Sequence, residues 1–393
     1  MEMLNAARGM ADEIVADRRD FHAHPELGYK ENRTAEIVAS RLEKLGVDVR
    51  TGVGGTGVIG LMEGGKPGKT VLLRADMDGL PIQEVGTDIR SYASQNPGVM
   101  HACGHDGHTA MLLAAAKLLN ERRSQINGTI KFMFQPAEEG GFGAVKMLED
   151  GLMEAPHVDA AFALHVDSLL EAGQVQIQPG PMFAAADRYT ILVRGKGGHA
   201  AAPNLTVDPV VVAAHIIIAL QTLISREIAP HERAVITLAQ LKAGTAENII
   251  PDTVEIKGTM RNYNPNLREY LQSRIRELSA GIAGAMRASV EIDWRPGYPP
   301  LVNHQSGSDL VEAVAEREIG PGTAVVREPT MGAEDFSYLL ERVPGAMFRL
   351  GTRMEEWTTR KPHHTADFDM DESALPVGTA MLAATAIEYL AKN

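Results

Sequence analysis

Five stretches of this chain carry side chains that do chemistry: Asp76-Met-Asp78, His101-Ala-Cys-Gly-His-Asp-Gly-His108, Gln135-Pro-Ala-Glu-Glu-Gly140, His165, and Pro362-His-His-Thr365. Together they offer a thiol, several imidazoles and several carboxylates. Cys, His, Glu, His and His form a transition-metal ligand set: thiolate and imidazole suit zinc, and carboxylate with imidazole also suits manganese or cobalt. Cys103 is the chain's single cysteine. An intrachain disulfide and a paired-cysteine zinc knuckle are therefore both excluded. A lone thiol is usually inert and buried, but His101, His105, Asp106 and His108 crowd around this one. Glu138 and Glu139 are adjacent. Extended neighbours point to opposite sides, whereas in a turn after a strand they diverge less. One carboxylate can then hold metal while the other takes a proton from the attacking water.

The elements around these clusters explain their placement. Val71–Asp76, Thr129–Phe134 and Val158–Leu164 read as compact buried strands, each ending at one of the clusters. Helical patterns cover 34–45, 107–122 and 142–150, and Gly46 stops the first of them. Strands alternating with helices predict a largely parallel α/β sheet, and ligands in such folds gather outside the carboxyl ends of the strands. The register changes near residue 185. Strands at 187–194, 233–242, 253–260 and 290–294 with helices at 207–225 and 266–287 predict a compact α+β unit. Pro296-Gly-Tyr-Pro-Pro300 reads as a linker, after which helix 308–318, a strand near 324–327, helix 334–342, strand 346–350 and helix 373–391 restore the first pattern. The expectation is a discontinuous catalytic domain, 1–185 and 298–393, with 186–297 inserted into it. The glycine run Thr51–Gly57 opens no strong helix and reads as a turn rather than a phosphate loop.

Composition narrows the function classes. The 393 residues are 44% hydrophobic and 23% charged, in the globular range. The net charge of −13 argues against nucleic-acid or anionic-membrane partners. No stretch of about 18 apolar residues is apparent, so no membrane-spanning helix is expected. The first residues are charged with no apolar core, so a cytoplasmic location is expected rather than secretion by a signal peptide. There is no G-x-S-x-G elbow for serine catalysis.

The motifs Phe21–Gly28, Arg74–Pro81, Met100–His108, Phe134–Gly140, Gly197–Pro203, Ala246–Asp252, Gly332–Phe336 and His364 run nearly end to end. In order and spacing the chain resembles the M20 family of metallopeptidases, in particular its amidohydrolase subfamily of hippurate hydrolases, N-acyl-amino-acid amidohydrolases and auxin-conjugate hydrolases. The resemblance implies an α/β, zinc-peptidase-like mixed-sheet catalytic domain with an inserted smaller α+β, ferredoxin-like domain. It implies two divalent ions per subunit (Zn, Mn, Co or Ni) held by Cys103, His105, Glu139, His165 and His364, with Cys103 bridging. Glu138 would be the general base and Asp78 would orient a ligand. Many relatives have His-x-Asp where this chain has Asp76-Met-Asp78, and an aspartate in place of His105, which places it in the cysteine-ligand subfamily. His364 fits the family spacing better than His363, and the His22/His24 pair falls outside the ligand set. In the inserted domain, His199 would stabilise the tetrahedral intermediate, often from the partner subunit. Asn248 and Arg261 would bind the substrate's carboxylate, for which the guanidinium fork is suited.

The expected activity is metal-dependent hydrolysis of the amide bond of N-acyl amino acids by a homodimer, with a tetramer as the alternative assembly. A carboxypeptidase or dipeptidase, an N-acetyl-diaminopimelate deacetylase, and a non-catalytic binding protein of the same fold are the competing expectations.

Overall fold

The computed structural model describes residues 1–86, 90–354 and 361–392. The chain forms two compact units. One comprises Met1–Met182, Val302–Glu328 and Asp335–Asn393; the other comprises Phe183–Leu301 and Pro329–Glu334. The return segment Pro329–Glu334 falls outside the bounds expected for the insertion, because nothing in its short polar sequence marks it.

The first unit is built on an eight-stranded sheet. Its order is Asp48–Val53, Gly57–Glu63, Asn127–Gln135, Lys66–Asp76, Ala160–Glu171, Gly345–Arg353, Val175–Gln176 and Ala324–Val325. The four central strands are mutually parallel. The sheet as a whole is mixed, not largely parallel, and the cause is local. The glycine-rich turn folds Asp48–Val53 back on Gly57–Glu63 as a hairpin, which then pairs antiparallel with Asn127–Gln135. On the other side Val175–Gln176 runs antiparallel to Gly345–Arg353. Val71, Leu72 and Leu73 are wholly buried, as a strand covered on both faces requires. Helix Leu375–Lys392 packs on helices Glu2–Arg8, His105–Glu121 and Gln305–Glu318. The helix expected at 334–342 is only the single turn Ser337–Leu340.

The second unit has the element order βαββαβ. Its sheet runs Ala234–Ala243, Thr253–Asn262, Ala185–Arg194, Ser289–Arg295, antiparallel throughout. Numbered along the chain, that is the 4-1-3-2 arrangement of a ferredoxin-like unit. Tyr189, Ile191, Val193, Val254 and Ile256 point from alternate positions into one core with Val212, Ile216, Leu271 and Ile275 of the two helices. Each helix starts on a capped proline. Asp208 accepts from the Val210 N–H ahead of Pro209–Thr222, and Asn264 caps Pro265–Ala285.

Pro209–Glu227 and Glu372–Lys392 are, by length and composition, apolar enough to cross a membrane, which the sequence reading did not anticipate. Each packs within its own unit, and the second is mostly buried there.

Candidate metal centre

The carboxyl ends of the parallel strands deliver the polar side chains. In register, Asp76 lies opposite Gln135, and Arg349 lies opposite His165. The turn after Asp76 carries Asp78, and the turn after Gln135 carries Glu138 and Glu139. Cys103 and His105 flank Gly104, which has φ 89° and leads into helix His105–Glu121. A Cβ at Gly104 would lie 2.4 Å from Cγ2 of Val166, so both conformation and space demand glycine. The N-terminal end of that helix supplies partial positive charge beside the thiol.

The five expected ligands come together. Donor atoms of Cys103, His105 and His165 lie within 4.8 Å of one another, and so do those of Cys103, Glu139 and His364. Cys103 is common to both groups. Glu138 joins His105 and Glu139 in a third group on the same criterion. Sγ of Cys103 is 3.5 Å from Nε2 of His165, and Nε2 of His364 is 2.9 Å from Oε1 of Glu139.

Hydrogen bonding fixes which ring nitrogens can bind metal. His105 Nδ1 lies 2.9 Å from the Asp78 carbonyl and 3.2 Å from its Oδ1, both acceptors, so Nδ1 carries the proton. His165 Nδ1 donates to the Val166 carbonyl at 2.7 Å. Both rings are thereby held with Nε2 as the lone-pair atom. His105 Nε2 is buried and makes no hydrogen bond, and buried Glu139 Oε1 has only the His364 Nε2 contact at 2.9 Å, a cost normally avoided. Two such atoms beside a thiol are what a bound divalent cation satisfies, so the donor set fits metal. Asp78 braces the set twice, since its Oδ2 also accepts the Glu139 N–H at 3.0 Å.

Asp76, His105 and His108 also approach one another as a fourth group. It is not a further ligand set. His108 Nδ1 donates to Asp76 Oδ1 at 2.6 Å, and His108 Nε2 accepts the Val166 N–H at 2.9 Å. Both ring nitrogens are committed, and the ring must be neutral. Its role is to tie the strand carrying His165 to Asp76, which Arg74 pairs at 2.8 Å. His363 sits with its ring 5.1 Å from that of His165 and belongs to none of these groups.

The electrostatics are those of a site short of positive charge. Burial, then Glu139, Glu138 and Asp76, pushes the Cys103 thiol well above its ordinary pKa. Burial alone would lower His105, but Asp76, Asp78 and Glu139 drive it up to about 10. Burial and neighbouring His108 and His363 hold His165 well below its usual range. A divalent cation reverses the first two shifts by favouring thiolate and neutral imidazole.

The remaining expected residues lie in the second unit. His199 faces Ile249 across a two-residue ladder, and the Ala200 N–H donates to the Asn248 carbonyl at 3.1 Å, so His199 and Asn248 are neighbours. His199 Nδ1 accepts the Ala201 N–H at 3.0 Å, leaving Nε2 to carry the proton. Arg261 ends strand Thr253–Asn262, half-buried, with Nη1 3.4 Å from the Met331 carbonyl. Burial and the nearby Arg188 lower its pKa while Asp187 opposes them. Sequence reasoning did not assign Asp76, His108 or Glu31. The two-residue period of Asp76 and Asp78 was the only signal for the first.

Thiol, imidazole and carboxylate around a second glutamate are the chemistry of a hydrolase that works through bound divalent metal. Comparison with known proteins agrees. The model of Peptidase family M20/M25/M40 matches residues 72–388. Over 392 residues the chain is 41% identical to Thermostable carboxypeptidase 1 of Saccharolobus solfataricus, covering 99% of this chain and 98% of that one. It is 38% identical over 380 residues to N-acetylcysteine deacetylase of Bacillus subtilis, covering 96% and 97% of the two chains. The crystal structure of the Bacillus subtilis YXEP protein, a dinuclear metal-binding peptidase, superposes with a TM-score of 0.86 at 34% identity, over 98% of this chain and all of that one. The chain belongs to the M20/M25/M40 peptidase family, and it is a metal-dependent hydrolase.

Proposed function

We propose that the protein hydrolyses the amide bond of N-acyl amino acids, releasing a carboxylic acid and a free amino acid. The observation that carries this reading is Cys103 shared between two ligand groups with Glu138 beside them. When bound, the two divalent ions would polarise the acyl carbonyl and acidify water. Cys103, His105, Glu139, His165 and His364 would hold them. Glu138 takes the proton of the attacking water as the C–O bond forms, and returns it to the amine nitrogen as the C–N bond of the tetrahedral adduct then breaks. His199, with its Nε2–H, is suited to donate to the developing oxyanion. Asn248 and Arg261 bind the carboxylate of the amino-acid half.

Glu138→Ala tests the assignment. Turnover should fall by about 10²–10⁴-fold while metal content holds; near-normal turnover would sink it. Carboxypeptidase activity is the second reading, favoured by the relative of that name. A panel of hippurate, N-acetyl-amino acids and dipeptides separates the two. Zinc, manganese, cobalt and nickel are the metals to load.

The partner expected for the second unit is another copy of the chain. Its edge strand Ala234–Ala243 pairs on one side, exposes Leu241, and would continue antiparallel with its own copy. Light scattering giving a monomer would contradict this.

A further inference from the structure

We propose that Glu31 is a positioning residue for the reaction, clamping the turn at Ala137 so that Glu138 is aimed. The inference rests on the reading of Glu138 as the proton acceptor. Glu31 stands outside the ligand set, yet it is completely buried. Its Oε1 accepts the Ala137 N–H at 2.8 Å, and its Oε2 accepts the Thr56 hydroxyl. Ala137 adopts φ 48°, a left-handed conformation that a residue with a Cβ holds only when its surroundings impose it. The next residue is Glu138.

The restraint is two-sided. Glu31 fixes the N–H of the residue before Glu138, and Asp78 Oδ2 fixes the N–H of the residue after it at 3.0 Å. Further along the same turn, the Tyr29 hydroxyl donates to the Gly141 carbonyl, and Asp335 Oδ2 accepts the Ala144 N–H at 3.1 Å. A charged acceptor on a backbone N–H is stronger and shorter than a neutral one. Glu31 thus sets the chain direction at the point where Glu138 and Glu139 part to separate duties. Asp78 also touches His105, so its loss would disturb the ligands. Glu31 has no such contact, which makes its effect separable.

The experiment compares Glu31→Ala, Glu31→Gln and Glu138→Ala by kcat, KM and metal stoichiometry. Glu31→Ala should lower kcat by about 100-fold, with KM within about twofold and metal content unchanged, as expected for a misplaced catalytic group. Glu31→Gln keeps an acceptor for the Ala137 N–H and an amide donor for the Thr56 oxygen, and should recover most of the loss. Parent-like kcat in Glu31→Ala, loss of metal in step with activity, or equal impairment of the Ala and Gln variants each overturns the inference. Retained turnover in Glu138→Ala would instead overturn the reading beneath it. Where Glu31→Ala does not fold, Glu31→Asp withdraws the acceptor by one methylene. Reduced kcat at full metal content then supports the clamp, and parent-like kcat removes it.

Discussion

The first turn of helix His105–Glu121 serves two buried charge clusters of opposite character. His105 and His108 look toward Asp76 and Cys103, while Asp106, which lies between them in sequence, meets Arg18 at 2.9 Å. Around Arg18 the charges are matched. Asp369 lies 3.2 Å and Glu372 3.1 Å from Arg18, Glu84 lies 2.9 Å from Arg90, and His22 stands between Asp106 and Glu84 at 2.7 and 3.3 Å. Burial and Arg18 lower the pKa of His22, yet Asp106 and Glu84 win and raise it. Around Cys103 the acids outnumber the cations, and His105 Nε2 makes no hydrogen bond. A cluster balanced by its own side chains holds the fold together, whereas one that needs an outside cation marks the working site.

The sharpest way to break this contrast is to remove one partner from the balanced side. Arg18→Met should cost about 3–5 kcal/mol in chemical denaturation, because Asp106, Asp369 and Glu372 lose the buried cation they share. Metal bound per folded chain should not change. Loss of metal at unchanged stability would erase the distinction.

On the other side, chelation should abolish activity and lower unfolding stability by about 3–4 kcal/mol at metal concentrations near a thousand times Kd, restored on reloading. Thermal melts with and without chelator read this, and identical melts would mean that the ligands do not depend on the cation. Asp78→Ala frees both His105 Nδ1 and the Glu139 N–H. It should weaken metal binding by about 10–100-fold in a competition titration.

The smallest effect is a pH dependence. Burial would raise Glu84, but His22, the Ser94 N–H and Arg90 hold it down at about 2. Its folded pKa lies below the unfolded value of about 4.3. Its contribution is therefore fully present above that value and is lost as pH falls toward about 2. Glu84→Gln should remove about 1–2 kcal/mol at neutral pH, allowing for screening, and flatten acid unfolding in this window. An unchanged acid limb would show that Glu84 is not a member of the matched network.

The residues expected as ligands were legible in the sequence because they occur in short runs at strand ends. Cys103 and His105 flank a glycine that the backbone requires, and the glutamates follow an apolar strand. What stayed hidden depends on long-range pairing. His108 meets Asp76, Arg18 meets Asp106, and Glu31 meets Ala137, contacts that no local spacing encodes. Nothing about alanine announces a left-handed turn at 137. The strands and the glycine-rich turn were legible locally, but the antiparallel pairing of that hairpin with Asn127–Gln135, which makes the sheet mixed, is a long-range contact.

His108 has one more consequence. A thiol and several imidazoles packed this closely invite over-metallation, in which surplus zinc or copper recruits a spare ring and inhibits. With Nδ1 spent on Asp76 and Nε2 on the Val166 N–H, His108 has no lone pair to offer. An excess of metal ions therefore meets a coordination sphere it cannot enlarge through that ring.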